Sequence, residues 1–209
     1  MFENQETLQN FLRNVSEVTK EGGYFIGTSY DGEKLFKMLK NLPENESKVI
    51  WASGEKMGDK KKIWELTKRY DRAEYNDDET CVGYAVDVFQ DSINKTFREY
   101  LVNYTYLTRI LENYGFVLAS AEDLRNLQAE FTGPKLTKST GFFSELFQQM
   151  KDEIKENPHM KPTYKTAPDM TDGERTISFL NRYFIYKKCA RLAMPKKSRK
   201  IYNIKQLMK

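Results

Sequence analysis

The sequence predicts an α/β fold from three observations. Apolar side chains recur at helical spacing over residues 3–20 and 33–41, which predicts two amphipathic helices. Between them lies a short apolar run, residues 24–28, of the kind buried on both faces of a parallel sheet. The order helix, glycine turn, strand, loop and helix is typical of an α/β unit and not of a helix bundle.

The rest of the chain continues this pattern less regularly. The predicted strands are residues 49–52, 63–66, 81–89, 116–119 and 177–186, and the predicted helices are residues 97–114 and an amphipathic segment near 141–155. Trp51 and Trp64 are expected in the core. No glycine-rich phosphate loop follows any predicted strand. By spacing alone, the chain is therefore expected to be the C-terminal part of an α/β nucleotide-binding fold without its cofactor half.

Composition excludes several classes of protein. The 209 residues suit one domain, and 13% aromatic residues are too many for a disordered chain. No apolar run approaches the roughly 18 residues of a membrane-spanning helix, and no secretory leader opens the sequence. Two cysteines and one histidine make a disulfide scaffold, a zinc site and a Ser-His-Asp triad improbable. We therefore expect no metal site.

The net charge of +4 conceals a strong asymmetry. Of the 34 Lys and Arg residues, 11 lie in residues 175–209, a stretch without Asp or Glu. The other 23 basic residues share the first 174 positions with all 30 acidic ones. A basic end on an acidic body favours a polyanionic partner, nucleic acid above all, although a solvated and poorly ordered tail is an equal alternative.

Three stretches resemble the mRNA cap (guanine-N7) methyltransferases, particularly those of large DNA viruses. They are FENQETLQNFLRNVSEVTKEGGYFIGTSYDG (2–32), REYLVNYTYLTRILENYGFVL (98–118) and ERTISFLNRYFIYKK (174–188). The polar, lid-like segment that follows residue 118 also agrees in order with the family. The resemblance implies a Rossmann-like S-adenosylmethionine-dependent methyltransferase sheet with an inserted cap-binding and lid region, of which this chain is the C-terminal part. Residues 1–188 are then the cap-binding portion of one methyltransferase domain, and residues 189–209 form a basic tail.

In this family the enzyme holds the guanine of a GpppN cap for methyl transfer from S-adenosylmethionine. Guanine N7 carries no proton, so the resemblance implies catalysis by proximity and orientation, with no residue acting directly as a base. The family's glycine-rich cofactor loop and a His-Tyr pair are expected upstream of Met1. The resemblance thus implies that this chain alone transfers little or no methyl group.

The strongest candidate site residue is Glu99. In the family, the glutamate of this E-Y/F-L-V motif accepts hydrogen bonds from the N1–H and N2 amine of the cap guanine, as carboxylates accept from other base amines. The alternative, which the residues alone favour, is an acid in the first turn of the helix predicted over residues 97–114, facing the helix dipole.

Four further residues are candidates for contact with the cap guanine. Tyr30 follows the GGYFIGT strand where many relatives have proline, and it is expected either to stack on a base or to be an ordinary loop tyrosine. Phe2 is expected beneath the pocket or simply in the core. Asn181 aligns with a cap-contacting tyrosine of some relatives, and Tyr183 follows on the same strand face.

The implied partners are capped RNA and either triphosphatase and guanylyltransferase domains on the same chain or a stimulatory subunit, with no membrane. The implied location is the cytoplasm, as a viral factory or virion, or the nucleus. Two other functions stay open: a catalytically silent cap- or RNA-binding subunit of a capping enzyme, and a methyltransferase for another nucleobase or small molecule. The helix near 141–155 is expected to be either the family's lid or an element closing the core.

Overall fold

A computed structural model describes residues 1–52, 61–130 and 135–189. The predicted turn at 53–60, the Gly133-Pro134 pair and all of the basic tail except Cys189 lie outside these residues. Within them the α-helices are α1 (Gln5–Val18), α2 (Gly32–Leu39), α3 (Tyr104–Glu112), α4 (Ala121–Leu127), α5 (Phe143–Glu156) and α6 (Asp172–Ser178). Short 3₁₀ helices cover Glu79–Cys81, Pro158–Tyr164 and Ala167–Asp169.

Two antiparallel sheets accompany these helices, which confirms the mixed α/β class. Their strands are β1 (Tyr24–Tyr30), β2 (Ser47–Trp51), β3 (Lys62–Arg69), β4 (Ala85–Gln90), β5 (Lys95–Tyr100), β6 (Phe116–Leu118), β7 (Thr140–Phe142) and β8 (Asn181–Lys188). In the first sheet β8 is central, with β1 on one side and β6 and β7 on the other. The second sheet is a meander in the order β2-β3-β4-β5.

The expectation of a buried parallel strand at residues 24–28 is wrong. β1 pairs antiparallel with β8, Tyr24 opposite Lys187 and Tyr30 opposite Asn181. Ile26 is 58% exposed, so the strand is not buried on both faces. An apolar run shows that a strand is present but not the direction of its partner.

The two largest of three clusters of buried apolar side chains form most of the core. The first lies between α1, α3 and one face of the first sheet, and it contains Leu12, Leu107, Phe116 and Tyr186. The second joins α2 to the second sheet: Leu35, Phe36 and Leu39, predicted to point inward, are buried against β3 and β4 side chains. Because α2 follows β1 directly, it brings the end of β1 onto the inner face of the second sheet.

Two predicted boundaries are wrong, and one changes how Glu99 is interpreted. Residues 97–114 are not one helix: β5 runs to Tyr100, and α3 begins after Asn103, whose side chain accepts a hydrogen bond from Tyr106 N at 2.9 Å. Glu99 therefore lies on a strand, which excludes its interpretation as a first-turn acid. The last strand begins at Asn181 and not at Ile177, since α6 occupies Asp172–Ser178 behind a capping box of Thr171 and Glu174.

Other predictions have mixed outcomes. Trp64 is fully buried as expected, whereas Trp51 is 47% exposed and does not lie in the core. α5 confirms the helix near 141–155, and its Phe147 packs on Phe179 with ring centroids 5.4 Å apart. α4 was not predicted. In the described ranges, no helix has the length and apolar character needed to cross a bilayer.

Candidate functional site

Glu99 is a carboxylate without a partner. Among the described residues, none donates a hydrogen bond to it and none forms an ion pair with it. Its side chain is half-buried, and this burial alone raises the pKa of the Glu99 carboxyl above its ordinary value. Desolvating an acid without compensation costs free energy, so the position favours a ligand that supplies donors.

The register of the second sheet places polar and aromatic groups beside this carboxylate. Glu99 on β5 is opposite Val86 on β4, and Gln90 lies four residues further along β4 on the same face. Gln90 is in turn opposite Trp64 on β3. The inner face of the sheet therefore presents a carboxylate, an amide and an indole toward the end of β1.

A cavity of about 580 Å³ opens where these groups meet the first sheet. This large cavity is lined, among others, by Tyr30, Trp64, Gln90, Glu99, Ile177 and Asn181. A neighbouring small cavity of about 330 Å³ shares Ser29, Tyr30 and Glu99 with it and adds Phe2 and Arg98. Both volumes lie in the range of small-molecule sites. Most residues that line the large cavity are polar, with hydroxyl, amide and carboxyl groups beside a few apolar side chains.

Tyr30 is held in place by two donors. Trp64 Nε1 donates to the Tyr30 hydroxyl oxygen at 3.1 Å, and Gln90 Nε2 donates to the same oxygen at 2.9 Å. The Tyr30 and Trp64 rings meet edge to face at 6.3 Å between centroids. Burial raises the pKa of Tyr30, so its hydroxyl keeps its proton at neutral pH.

The structure brings four of the five predicted residues together. Glu99 and Tyr30 line both cavities, Asn181 the large one and Phe2 the small one. Asn181 is also occupied structurally, since its amide donates to the carbonyls of Ile177 and Ser178. Tyr183 is not among the residues lining either cavity: its hydroxyl donates to the Lys138 carbonyl at 3.2 Å beside α5.

Sequence reasoning missed Trp64 and Gln90 as site residues. Trp64 was predicted as a core residue, and it is one, but its indole N–H also fixes Tyr30. Gln90 carried no signal, because a glutamine at the end of a strand has no distinctive spacing. Only the alternation of β3 and β4 side chains could have placed both residues on one face.

The unpartnered carboxylate gives a prediction about stability. We expect Glu99→Gln to raise the unfolding temperature of the ligand-free chain near neutral pH. Because folding raises the pKa of Glu99, the charged carboxylate destabilises the folded state when the pH exceeds the pKa of a glutamate in the unfolded chain, about 4.3. The destabilisation is complete when the pH also exceeds the pKa of Glu99 in the folded state. The gain should therefore vanish below about pH 4. Thermal melts of both proteins across this range check it, and an unchanged or lower melting temperature at neutral pH contradicts it.

The described residues contain no cluster of metal-ligating side chains. No group of three His, Cys, Asp or Glu side chains among them is arranged to hold a metal. The turn after β1 is closed by hydrogen bonds: Gly32 N donates to the Val102 carbonyl at 3.0 Å, and Lys34 N donates to Asp31. A Cβ at Gly32 would clash with Tyr75 and Val102.

The fold and the cavity together define an α/β protein with a carboxylate-lined pocket of the size of a small-molecule site. The chain belongs to the mRNA (guanine-N(7))-methyltransferase domain family, whose model matches residues 1–188. This membership implies a methyl donor.

Two proteins that are similar to this chain have names consistent with that family. The chain is 24% identical to the probable mRNA-capping enzyme of Acanthamoeba polyphaga mimivirus over 198 residues, which cover 91% of this chain and 16% of the relative. It is 28% identical over 122 residues to the mRNA cap guanine-N(7) methyltransferase of Saccharomyces cerevisiae, covering 57% of this chain and 26% of the relative. The chain therefore spans only a minor part of these relatives.

Proposed function

We propose that this chain is the cap-binding portion of an mRNA cap guanine-N7 methyltransferase. The observation that carries the proposal is the half-buried, unpartnered Glu99 carboxylate in a cavity of suitable size. The Watson–Crick edge of guanine offers N1–H and an N2 amine side by side, and one carboxylate accepts both. Family membership supports guanine over other ligands with two adjacent donors.

The chemistry requires orientation more than acid–base groups. Guanine N7 attacks through a lone pair and has no proton to lose, so Glu99 binds the opposite side of the base and fixes the direction of N7. A carboxylate there also favours the product, since methylation at N7 places a positive charge on the ring. This role is compatible with the closed turn after β1, because Glu99 can bind guanine without any contact from that turn.

S-adenosylmethionine is the proposed methyl donor, bound by residues other than those the structure describes. The proposed substrate is capped RNA, and triphosphatase and guanylyltransferase domains or a stimulatory subunit are proposed partners, in line with the mimivirus relative named as a capping enzyme. A role in cap methylation places the chain in the cytoplasm, in a viral factory or virion, or in the nucleus. The alternative, a catalytically silent cap-binding subunit, would use the same pocket but would not transfer a methyl group.

Binding of cap dinucleotides tests the proposal. We expect the 209-residue chain to bind GpppA at least about 10-fold more tightly than ApppA in a calorimetric titration, because adenine offers Glu99 no N1–H and no N2 amine. Equal affinity for the two dinucleotides contradicts cap recognition. Methyl transfer by a longer protein that contains this chain then separates the enzyme from the silent module.

A further inference from the structure

The geometry of Tyr30 leaves one hydrogen-bonding direction unused. A phenolic oxygen accepts hydrogen bonds through its lone pairs and donates one through its hydrogen. Trp64 and Gln90 both donate to Tyr30 Oη, at 3.1 and 2.9 Å. Among the described residues, no group accepts the Tyr30 hydrogen. An indole N–H can only donate, so the contact with Trp64 directs the Tyr30 hydrogen away from that side chain.

The unused donor lies beside the unpartnered acceptor. Tyr30 and Glu99 line both the large and the small cavity, which places them close to each other where the two cavities adjoin. The Glu99 charge also contributes to raising the pKa of Tyr30, which agrees with their closeness. The site therefore offers a neutral hydroxyl donor next to a carboxylate acceptor.

If the pocket binds guanine, as proposed above, the Tyr30 hydroxyl and the Glu99 carboxylate together complement more of the base's polar edge than Glu99 does alone. We infer that Tyr30 determines base specificity by donating a hydrogen bond to guanine O6 while Glu99 accepts from N1–H and N2. O6, N1–H and N2 follow one another along a single edge of the base. Adenine presents an amino group in place of O6, so it would set a donor against the Tyr30 donor.

Tyr30 thus acts through a hydrogen bond and not through stacking, the role expected from the sequence. The ring is not free to lie flat on a base, because its edge-to-face contact with Trp64 and its two accepted hydrogen bonds fix its plane. Trp64 and Gln90 thereby become positioning residues. They act on the ligand through Tyr30.

The test compares GpppA with an analogue whose cap guanine is 6-thioguanine. Sulfur is a weak acceptor at this position, while N1–H and N2 remain available to Glu99. We expect wild type to prefer GpppA about 10-fold, and Tyr30→Phe to reduce this ratio below about 2-fold. We compare the ratio of the two affinities and not the affinities themselves. Tyr30→Phe also removes the acceptor of Trp64 and Gln90, and this loss should weaken the binding of both ligands equally.

Tyr24→Phe is the matched control. Tyr24 lies on the same strand and face, but its hydroxyl contacts Asp123 at 3.4 Å, outside both cavities. This variant should keep the wild-type ratio. An unchanged ratio in Tyr30→Phe, with GpppA still preferred over ApppA, overturns the role of Tyr30 and leaves the proposed function standing. Absence of binding to any cap dinucleotide by wild type overturns both.

Discussion

Glu99→Gln is expected to weaken binding of GpppA by about 100-fold, because the variant loses a charge-assisted pair of hydrogen bonds. A carboxamide accepts one guanine N–H but presents its own N–H₂ to the other, leaving two donors opposed. The same change should raise the stability of the ligand-free chain, as argued above, so lost binding cannot be attributed to unfolding. In a longer protein with methyltransferase activity, kcat/KM should fall by about the same factor.

The matched control for this variant is Glu174→Gln. Glu174 also lines the large cavity, but its carboxylate already accepts from Thr171 N at 2.7 Å and from Thr171 Oγ1 at 2.9 Å. Glutamine serves the same capping position, so we expect little change in affinity. Calorimetric titration with GpppA measures both variants. Affinity of Glu99→Gln within about 3-fold of wild type would falsify the role of Glu99 in binding guanine.

Asp31→Ala is expected to lower the free energy of unfolding by about 3 kcal/mol. The Asp31 side chain is only 4% exposed. One of its oxygens accepts from Lys34 N and caps α2, and the other pairs with Arg182 Nε at 2.7 Å. Removing the carboxylate leaves the Arg182 charge largely buried between Tyr104 and Phe142, 5.0 and 4.3 Å from the ring centroids.

Glu33→Ala is the control in the same helix. Glu33 pairs with Lys37 at 2.7 Å, but both side chains are more than 60% exposed, so the change should cost less than about 0.5 kcal/mol. Urea denaturation of the two variants compares them directly. A loss below about 1 kcal/mol in Asp31→Ala contradicts a structural role for the buried pair.

Local features of the sequence predicted α1, α2 and α5 well, missed α4 and α6, and predicted the strand pairing poorly. The spacing of apolar residues predicts α1 and α2, and the glycines before β1 predict the end of the first helix. The error at residues 97–114 arose because Leu101, Leu107 and Leu111 fit one helical stripe. Asn103, a good N-cap, was the overlooked sign that the helix begins later. The partner of β1 lies more than 150 residues away, and no local pattern specifies it.

The site was predictable only through family resemblance. Glu99 was singled out because relatives have a cap-binding glutamate there, whereas the residues alone favoured an ordinary role. Tyr30 was singled out by its place at the end of the strand, where many relatives have proline, with an ordinary loop tyrosine as the alternative. Trp64 and Gln90 could not be found this way, since their roles depend on sheet register. Tyr183 shows the converse limit: period two places it on the face of Asn181, yet its ring lies beside α5 and not in the large cavity.

The central position of β8 has a consequence for the order in which the chain folds. The second sheet is built from strands adjacent in sequence, so it can assemble as hairpins while the chain is still being synthesised. The first sheet cannot, because β1, β6 and β7 all wait for residues 181–188. Asn181 reaches Tyr30 only then, so we expect the wall of the pocket that Asn181 forms to be completed last, after Tyr30 has packed on Trp64 and Gln90.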